Sequence, residues 1–236
     1  MIRGEGACLV CGKPLVYTET ARELRCVFCH KPAAAYASCV DGHYVCDQCH
    51  EEKGVQTILD YCLSSPLTDP IRIMTQLMEA PYLYMHGPEH HILVGAALLT
   101  AYHNSGGQLD LPAALAEMAA RGRQVPGGSC GLWGCCGAAV SAGMFVSIAT
   151  GATPLSEEPW RLANQMTGQA LAAIGGLGGP RCCKRNSFTA VLEAVPFAAG
   201  HLSVQMSLPK RVVCSFSREN AQCLHTRCPY YPLRPE

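Results

Sequence analysis

Sixteen cysteines in a chain of 236 residues determine which chemistry this sequence can do. Seven occur within the first fifty residues, mostly as CxxC pairs, whereas the last eight follow residue 129 and include two adjacent doublets. A CxxC pair directs two thiolates at one metal ion. Adjacent side chains diverge, so a doublet suits that task less well. We therefore expect one conventional metal-binding module and one less conventional thiol or cluster site.

The amino-terminal module is expected to bind structural zinc through four pairs of ligands. Its first two pairs have the spacing C-x2-C-x14-C-x2-C, which is typical of a closed tetrahedral zinc site. The eight expected ligands, in pair order, are Cys8 and Cys11, Cys26 and Cys29, Cys39 and His43, and Cys46 and Cys49. A sequential pairing gives each half of the set one metal, whereas a cross-braced pairing joins the first pair with the third and the second with the fourth. Spacing does not decide between them, and the sequential pairing is slightly favoured because the first half alone forms a complete ribbon motif.

Two glycine-rich turns, each before an expected helix, carry the thiols of the remaining chain. Cys130 begins the first helix, where free amides and the helix dipole favour a thiolate. The second turn carries Arg181 and Lys184, which would bind an anionic substrate. We expect the two turns to face each other, and the alternative is close helix packing around inert cysteines. The shared site would contain Cys130, Cys135, Cys136, Cys182 and Cys183, as an iron–sulfur cluster or as a redox or nucleophilic thiol site.

The segment His-Gly-Pro-Glu-His-His at residues 86–91 is the third candidate. Histidines clustered at a helix start can bind a metal or act as acid and base. We expect Glu89 or His90 to carry protons for Cys130, and His86 to contact the substrate. The alternative is a capping glutamate with ordinary polar histidines.

The carboxyl-terminal tail contains Cys214, Cys223 and Cys228, and the last is followed by proline. Cysteine strings that close with Cys-Pro are typical of cluster-binding segments, although this spacing differs from the ferredoxin pattern. The tail could hold a separate cluster, a third zinc with His225, or supply ligands to the shared site. Cys62 stands alone in an apolar stretch and is expected to be a buried, inert thiol.

The elements that must position these residues form a mostly α-helical α+β protein. Residues 1–53 are expected to be a small zinc-ribbon-like module with short strands, and residues 54–236 an α-helical domain with an irregular tail. The expected helices are Val55–Leu63, Asp69–Glu79, Pro88–His103, Leu111–Arg121, Ser129–Ala149, Ser156–Ile174 and Cys183–Ala199, the last broken near Pro196. Asp69 and Ser156 are the expected helix caps of two of them.

Composition excludes some classes of function. Eighteen basic and eighteen acidic residues balance, which gives no electrostatic argument for nucleic acid or for a membrane surface. The start of the chain has no apolar signal region, so secretion is not expected and metal-bound thiolates in a reducing cytoplasm are favoured over disulfides. The uncharged stretch around residues 135–149 is shorter than the ~20 residues of a membrane span, so a buried helix is expected.

The strings CLVCGKPL, DGHYVCDQCH, HGPEHH, PGGSCGLWGCCGAA, GGPRCCKR and CPYYP resemble a domain-of-unknown-function family of anaerobic bacteria and archaea. Some members of that family are fused to methyltransferase-like domains, and the resemblance covers nearly the whole chain. It implies an anaerobic setting and a link to methyl, sulfur or metal chemistry. The CCG string is also similar to the cluster domains of heterodisulfide reductases, but here Cys182 and Cys183 replace their downstream CxxC.

We therefore expect a cytoplasmic metalloprotein with structural zinc and an iron–sulfur or reactive-thiol site, active in redox, sulfur-transfer or methyl-transfer chemistry. A small anionic substrate and a redox or methyltransferase partner protein would fit that function. One rival is a non-enzymatic metal or cluster carrier. The other is an adaptor whose ribbon docks a methyltransferase or a nucleic acid, which would leave the thiols of the helical domain inert.

Overall fold

The structure is a computed structural model and describes residues 8–233. A small cysteine-rich module with one two-stranded sheet is followed by a helical region, and residues 8–233 contain eight α-helices in total. The expected mostly α-helical α+β class is thus confirmed. The chain divides into two compact units between Gly54 and Val55. No helix within the described range has both the length and the apolar character that a membrane crossing needs.

The amino-terminal unit is built on an antiparallel ribbon of β1, Leu15–Arg25, and β2, Pro32–Cys39. Leu15 pairs with Cys39 at one end and Arg25 with Pro32 at the other, with an irregularity in β1 between Tyr17 and Arg22. The two ends of the ribbon therefore bring together segments that lie far apart in the sequence.

Eight helices follow one another along the described chain, and the tail up to residue 233 adds one short 3-10 turn, His225–Arg227. They are α1 Asp47–Ser64, α2 Pro70–Met78, α3 His90–Asn104, α4 Leu111–Gly122, α5 Ser129–Leu132, α6 Gly137–Ala149, α7 Glu158–Leu177 and α8 Cys183–His201.

Local chemistry explains where several helices begin. Asp69 caps α2, because its carboxylate oxygen accepts hydrogen bonds from the N–H groups of Ile71 and Arg72. This cap is as expected. Ser156 is not the cap of α7: that position is Glu157, and the Ser156 hydroxyl instead accepts the N–H of Thr153 in the preceding turn. A serine competes for such local turn bonds as readily as for helix capping.

Helix α3 is the centre of the helical unit. It is buried from His90 to Tyr102 and packs against α2, α4, α6 and α8. Leu98 in α3 and Phe145 in α6 are fully buried, and burial of each such side chain stabilises the fold by roughly 1.5–3 kcal/mol. A closely packed helix at this position fixes the direction of the helix ends around it.

Two expectations about helices were wrong. The expected helix Ser129–Ala149 is two helices, because Gly134 adopts a left-handed conformation with φ of 63° between α5 and α6. Helix α8 is not broken at Pro196 and continues to His201. Pro196 lies on the exposed face of α8, while its neighbours Val195 and Phe197 are buried and hold the helix in place.

Candidate metal centres

The first group of ligands in the amino-terminal unit consists of Cys8, Cys11, Cys39 and His43, whose ligand atoms all lie within 4.8 Å of one another. The Cys11 and Cys39 sulfurs are 3.4 Å apart, and the Cys8 sulfur is 3.8 Å from His43 Nδ1. Tetrahedral zinc with bonds of about 2.3 Å to sulfur separates its ligand atoms by about 3.8 Å. The group therefore has the size and composition of a zinc site with three thiolates and one imidazole.

The second group consists of Cys26, Cys29, Cys46 and Cys49, again with all ligand atoms within 4.8 Å. Its Cys29 and Cys46 sulfurs are 3.7 Å apart. Burial raises the pKa of Cys49 to about 12, with the neighbouring sulfurs adding to the effect. Although burial opposes it, N–H donors from Cys29, Cys46 and Phe28 lower the pKa of Cys26 to about 6. Four sulfurs so close together need a cation to be thiolates at once, and a metal ion such as zinc supplies it.

The two groups are cross-braced, so the sequential pairing that the spacing slightly favoured is not the one that the structure shows. The ribbon gives the reason. Because Leu15 pairs with Cys39, the first and third ligand pairs meet at one end of the ribbon. The seven steps of β2, at ~3.3 Å each, place the second pair roughly 20 Å away, beyond reach of the first.

A third set of cysteines lines a cavity in the helical unit. The cavity is partly open to solvent. Its four cysteines are Cys182 at the start of α8 and the three tail cysteines, Cys214, Cys223 and Cys228. The tail is held there by Tyr230, whose carbonyl accepts the N–H of Cys214 at 2.8 Å and whose ring packs against Phe188.

Each of the four sulfurs accepts a backbone hydrogen bond. In the tail, N–H groups two residues further along the chain donate to the sulfurs of Cys214, Cys223 and Cys228. The zinc-type ligands Cys8 and Cys39 accept the same bond from the residue two positions later. These bonds favour the thiolate, although burial raises the pKa of Cys214 to about 11 and also raises that of Cys228. The local geometry is shared by the two kinds of site.

The sulfur of Cys182 is held by two donors. It accepts the N–H of Arg185 within the first turn of α8 and the side-chain amide of Asn220, each at 3.4 Å. A cysteine in this N-cap position also lies at the positive end of a 19-residue helix. Cys182 is therefore as well prepared to be a thiolate ligand as the tail cysteines are.

The four cavity cysteines are too widely spaced to bind one metal ion. Within residues 8–233, ligand atoms close enough for a single ion occur only in the two groups of the amino-terminal unit. His225, the expected partner of the tail cysteines in a third zinc site, is exposed and does not line the cavity. The four sulfurs therefore line the cavity without forming a site for a single ion.

Arg185 supplies positive charge at the wall of this cavity. It is only 3% exposed, and its guanidinium donates to the carbonyls of Gly178 and Pro180 and to the side chain of Asn186. No carboxylate within the described part of the chain lies at ion-pair distance from it. Burial raises the pKa of Cys228, and the positive charge of Arg185 lowers it. A buried cation beside four cysteines fits an anionic occupant.

The His86–His91 segment contacts the start of α8, as a shared site requires. His86 Nδ1 accepts the N–H of Cys183 at 3.4 Å, so its Nε2 carries the proton that it shares with Asn220 Oδ1 at 3.2 Å. Asn220 in turn donates to Cys182. Burial lowers the pKa of His86, which keeps the ring neutral. His86 thus orients Asn220 rather than facing solvent.

Glu89 and His90 lie buried beside Cys183 and not beside Cys130. The Gly87 N–H donates to the Cys183 sulfur, the Gly87 carbonyl accepts from His90 Nδ1, and the Glu89 carboxylate covers the Gly87 Cα. A side chain at position 87 would collide with that carboxylate. Burial holds the pKa of His90 well below its ordinary value, and its Nε2 has no hydrogen-bond partner within residues 8–233.

The other expected site residues fall into separate places. Lys184 is only 1% exposed, with its ammonium on the Tyr84 carbonyl and over the Phe216 ring, so it does not face an incoming substrate. Arg181 is exposed. Cys62 is fully buried, and burial raises its pKa to about 12, which fits the expected inert thiol.

Of the three cysteines in the first glycine-rich turn, Cys136 is the one whose sulfur is hydrogen-bonded to α8. Cys136 is the N-cap of α6, and its sulfur accepts the side-chain amide of Asn186 at 3.3 Å. Cys130 lies in α5, which has only four residues, so the helix-dipole argument for a thiolate there does not hold. Among the described residues, no hydrogen bond joins the sulfur of Cys130 or Cys135 to another cysteine of the helical unit.

The sequence pattern did not indicate the two asparagines that donate hydrogen bonds to the sulfurs of Cys136 and Cys182. Asn186 lies one turn after Cys183, a spacing that places the two on one helix face. Asn220 lies between two tail cysteines, where no motif marks it. Only the tail's contact with α8 reveals its role.

The fold and its sites define a cysteine-rich protein with two metal-type ligand groups in a cross-braced module and a separate four-cysteine cavity in a helical unit. Residues 58–231 match the model of a family described as a family of unknown function, DUF5714. The chain belongs to this family, as the sequence resemblance to a domain of unknown function indicated. No curated protein and no solved structure matches the chain.

Proposed function

We propose that this chain is an iron–sulfur electron-transfer protein whose amino-terminal unit is stabilised by two structural zinc ions. The observation that carries the proposal is the cavity lined by Cys182, Cys214, Cys223 and Cys228. Four cysteines are the usual ligands of [2Fe–2S] and [4Fe–4S] clusters. We propose the [4Fe–4S] form, because that cluster has one iron for each of the four cysteines.

The ligand count supports electron transfer over chemistry at an open iron. With Cys182 as the fourth ligand beside the three tail cysteines, every iron of a [4Fe–4S] cluster has a protein thiolate. Substrate binding at iron would need one of those bonds to break. The N–H donors at the Cys182 sulfur and the positive charge of Arg185 would raise the reduction potential of such a cluster. A one-electron carrier protein is the partner that this function requires.

The zinc assignment rests on ligand type and spacing. One group offers three cysteines and a histidine and the other offers four cysteines, and in both the ligand atoms lie within 4.8 Å of one another. Such groups form closed sites that leave no position for water. They stabilise the small unit, whose two strands alone could not form a core. All sixteen cysteines are unpaired in this fold, which fits a reducing, cytoplasmic and anaerobic setting.

Alanine substitution at each cavity cysteine tests the proposal. Protein purified without oxygen should absorb broadly near ~400 nm, and Cys182→Ala or Cys223→Ala should lose that absorption. Cys135→Ala and Cys62→Ala are the controls and should keep it, because neither residue lines the cavity. Absorption that survives the loss of Cys182 and Cys223, or that disappears in the controls, contradicts the ligand set.

A further inference from the structure

Two cysteines lie beside the four-cysteine cavity without lining it. Cys136 accepts a hydrogen bond from the Asn186 side chain at 3.3 Å. Cys183 precedes Asn186 by one turn of α8, so the two residues occupy one face of that helix. Burial raises the pKa of Cys183 to about 11, and a charge on Cys136 would raise it further, so the two side chains lie within electrostatic range of each other. Cys136 and Cys183 are thus a neighbouring pair of thiols next to Cys182, outside the proposed cluster ligands.

Two groups near Cys183 can exchange protons, the carboxylate of buried Glu89 and the imidazole of His86. The Gly87 N–H donates to the Cys183 sulfur, and a charge on Glu89 raises the pKa of that thiol. His86 accepts its N–H and connects through Asn220 to the sulfur of Cys182. The pair therefore lies between a source of protons and a ligand of the proposed cluster.

We infer that Cys136 and Cys183 are a redox-active dithiol that reduces disulfide substrates with electrons from the adjacent cluster. The inference rests on the proposed function, since the electrons come from an external one-electron carrier through that cluster. Both thiols are partly exposed, as are the proposed ligands Cys214 and Cys223, whereas Cys182 and Cys228 are buried. A disulfide can thus reach the pair, and the thiols of the pair are not bound by the proposed cluster.

Thiol–disulfide exchange gives a balanced reaction. The Cys136 sulfur, at the amino-terminal end of α6, attacks one sulfur of the substrate, breaks its S–S bond and releases one thiolate, which takes up a proton. Cys183 then attacks the mixed disulfide, releases the second substrate thiol and leaves a Cys136–Cys183 disulfide. Two electrons delivered one at a time through the cluster, together with two protons, restore the dithiol. The sum is one disulfide plus two electrons and two protons giving two thiols.

Peptide mapping tests the pair directly. Anaerobic protein treated with diamide, alkylated and digested should yield one linked peptide that joins Cys136 to Cys183. No such peptide, or a link from either residue to another cysteine, overturns the inference. This measurement needs no variant and does not depend on the cluster.

Turnover tests the link to the cluster. Dithionite-reduced protein, freed of excess reductant, is mixed with cystine or with insulin, and released thiols are counted while absorption near ~400 nm is followed. Cys136→Ser and Cys183→Ser should each release at least about tenfold less thiol than the wild-type protein and keep the cluster absorption. Cys135→Ser, the partly exposed neighbour of Cys136, should keep both.

The outcomes separate the two proposals. Release from cystine alone identifies a small-molecule disulfide, and release from insulin identifies a protein disulfide. Release from neither, or unchanged release in both serine variants, overturns the inference. Loss of the cluster in Cys183→Ser also overturns it, because Cys183 would then be a ligand. A wild-type protein that forms the linked peptide but has no cluster absorption refutes the proposed function and leaves the dithiol pair in place.

Discussion

Asn220→Ala should weaken the fold and lower the reduction potential of the cluster at the same time. Asn220 is 6% exposed, and its side chain makes three hydrogen bonds, to the Cys182 sulfur, to His86 Nε2 and to the Gln222 N–H. Each such bond contributes about 0.5–1.5 kcal/mol, so the variant should lose about 2–4 kcal/mol of unfolding free energy. His86 Nε2 would also lose its partner Asn220.

The potential should fall because the amide donates to the sulfur of Cys182, a ligand of the proposed cluster. A reduced cluster carries one more negative charge, so an N–H···S bond stabilises the reduced state more than the oxidised state. If that difference is about 0.5–1 kcal/mol, its loss lowers the midpoint potential by about 20–40 mV. Spectroelectrochemical titration measures the potential, and anaerobic urea denaturation measures the stability.

Asn104→Ala is the matched control. Its side-chain amide donates partly buried hydrogen bonds to the carbonyls of Ser65 and Leu67, at 2.8 and 2.9 Å, but Asn104 lies outside the cavity. It should lose about 1–3 kcal/mol of stability and leave the potential unchanged. An equal potential shift in both variants, or an unchanged potential in folded Asn220→Ala, would refute the assignment of Cys182 as a ligand tuned by Asn220.

Three further predictions concern the charges and the metals. Arg185→Met should lower the midpoint potential by at least about 40 mV, and Arg185→Lys should restore part of it, because a full positive charge at the cavity wall outweighs one amide dipole. A strong zinc chelator should release two zinc ions per chain and unfold the amino-terminal unit without loss of helical circular dichroism from the helical unit. Burial lowers the pKa of His86, His90 and His91 from 6.5. Below pH ~6.5 the unfolded chain therefore binds protons that the folded protein does not bind. The free energy of unfolding should fall there by up to ~1.4 kcal/mol per pH unit for each histidine. In urea denaturation at pH 7.5 and 5.5, His91→Gln should reduce this dependence and exposed His103→Gln should not; an unchanged dependence in both would contradict the burial argument.

The sequence predicted the architecture better than it predicted the connections between distant cysteines. Local signals, such as Asp69 before Pro70, correctly placed a helix start. The zinc-type pairing depends on the register between Leu15 and Cys39, which CxxC spacing does not contain. That is why the ligands were expected correctly and their pairing was not.

The four-cysteine cavity shows the same limit. Cys182 and Cys214 are 32 positions apart, and only the fold of the tail against α8 brings them to one cavity. Cys130 was expected to be central because a long helix would begin beside it, and the left-handed Gly134 ends that helix after one turn. The importance of the second doublet was visible in the sequence, but the different roles of its two cysteines were not.

Native mass spectrometry of protein purified without oxygen counts the zinc, iron and sulfide of each chain in one measurement. We predict one dominant species that carries two zinc ions and about four irons with about four sulfides per chain. Cys182→Ala should keep the zinc and lose the iron and sulfide. A wild-type chain that carries only zinc, or whose cavity cysteines are joined in disulfides, would contradict the proposed cluster.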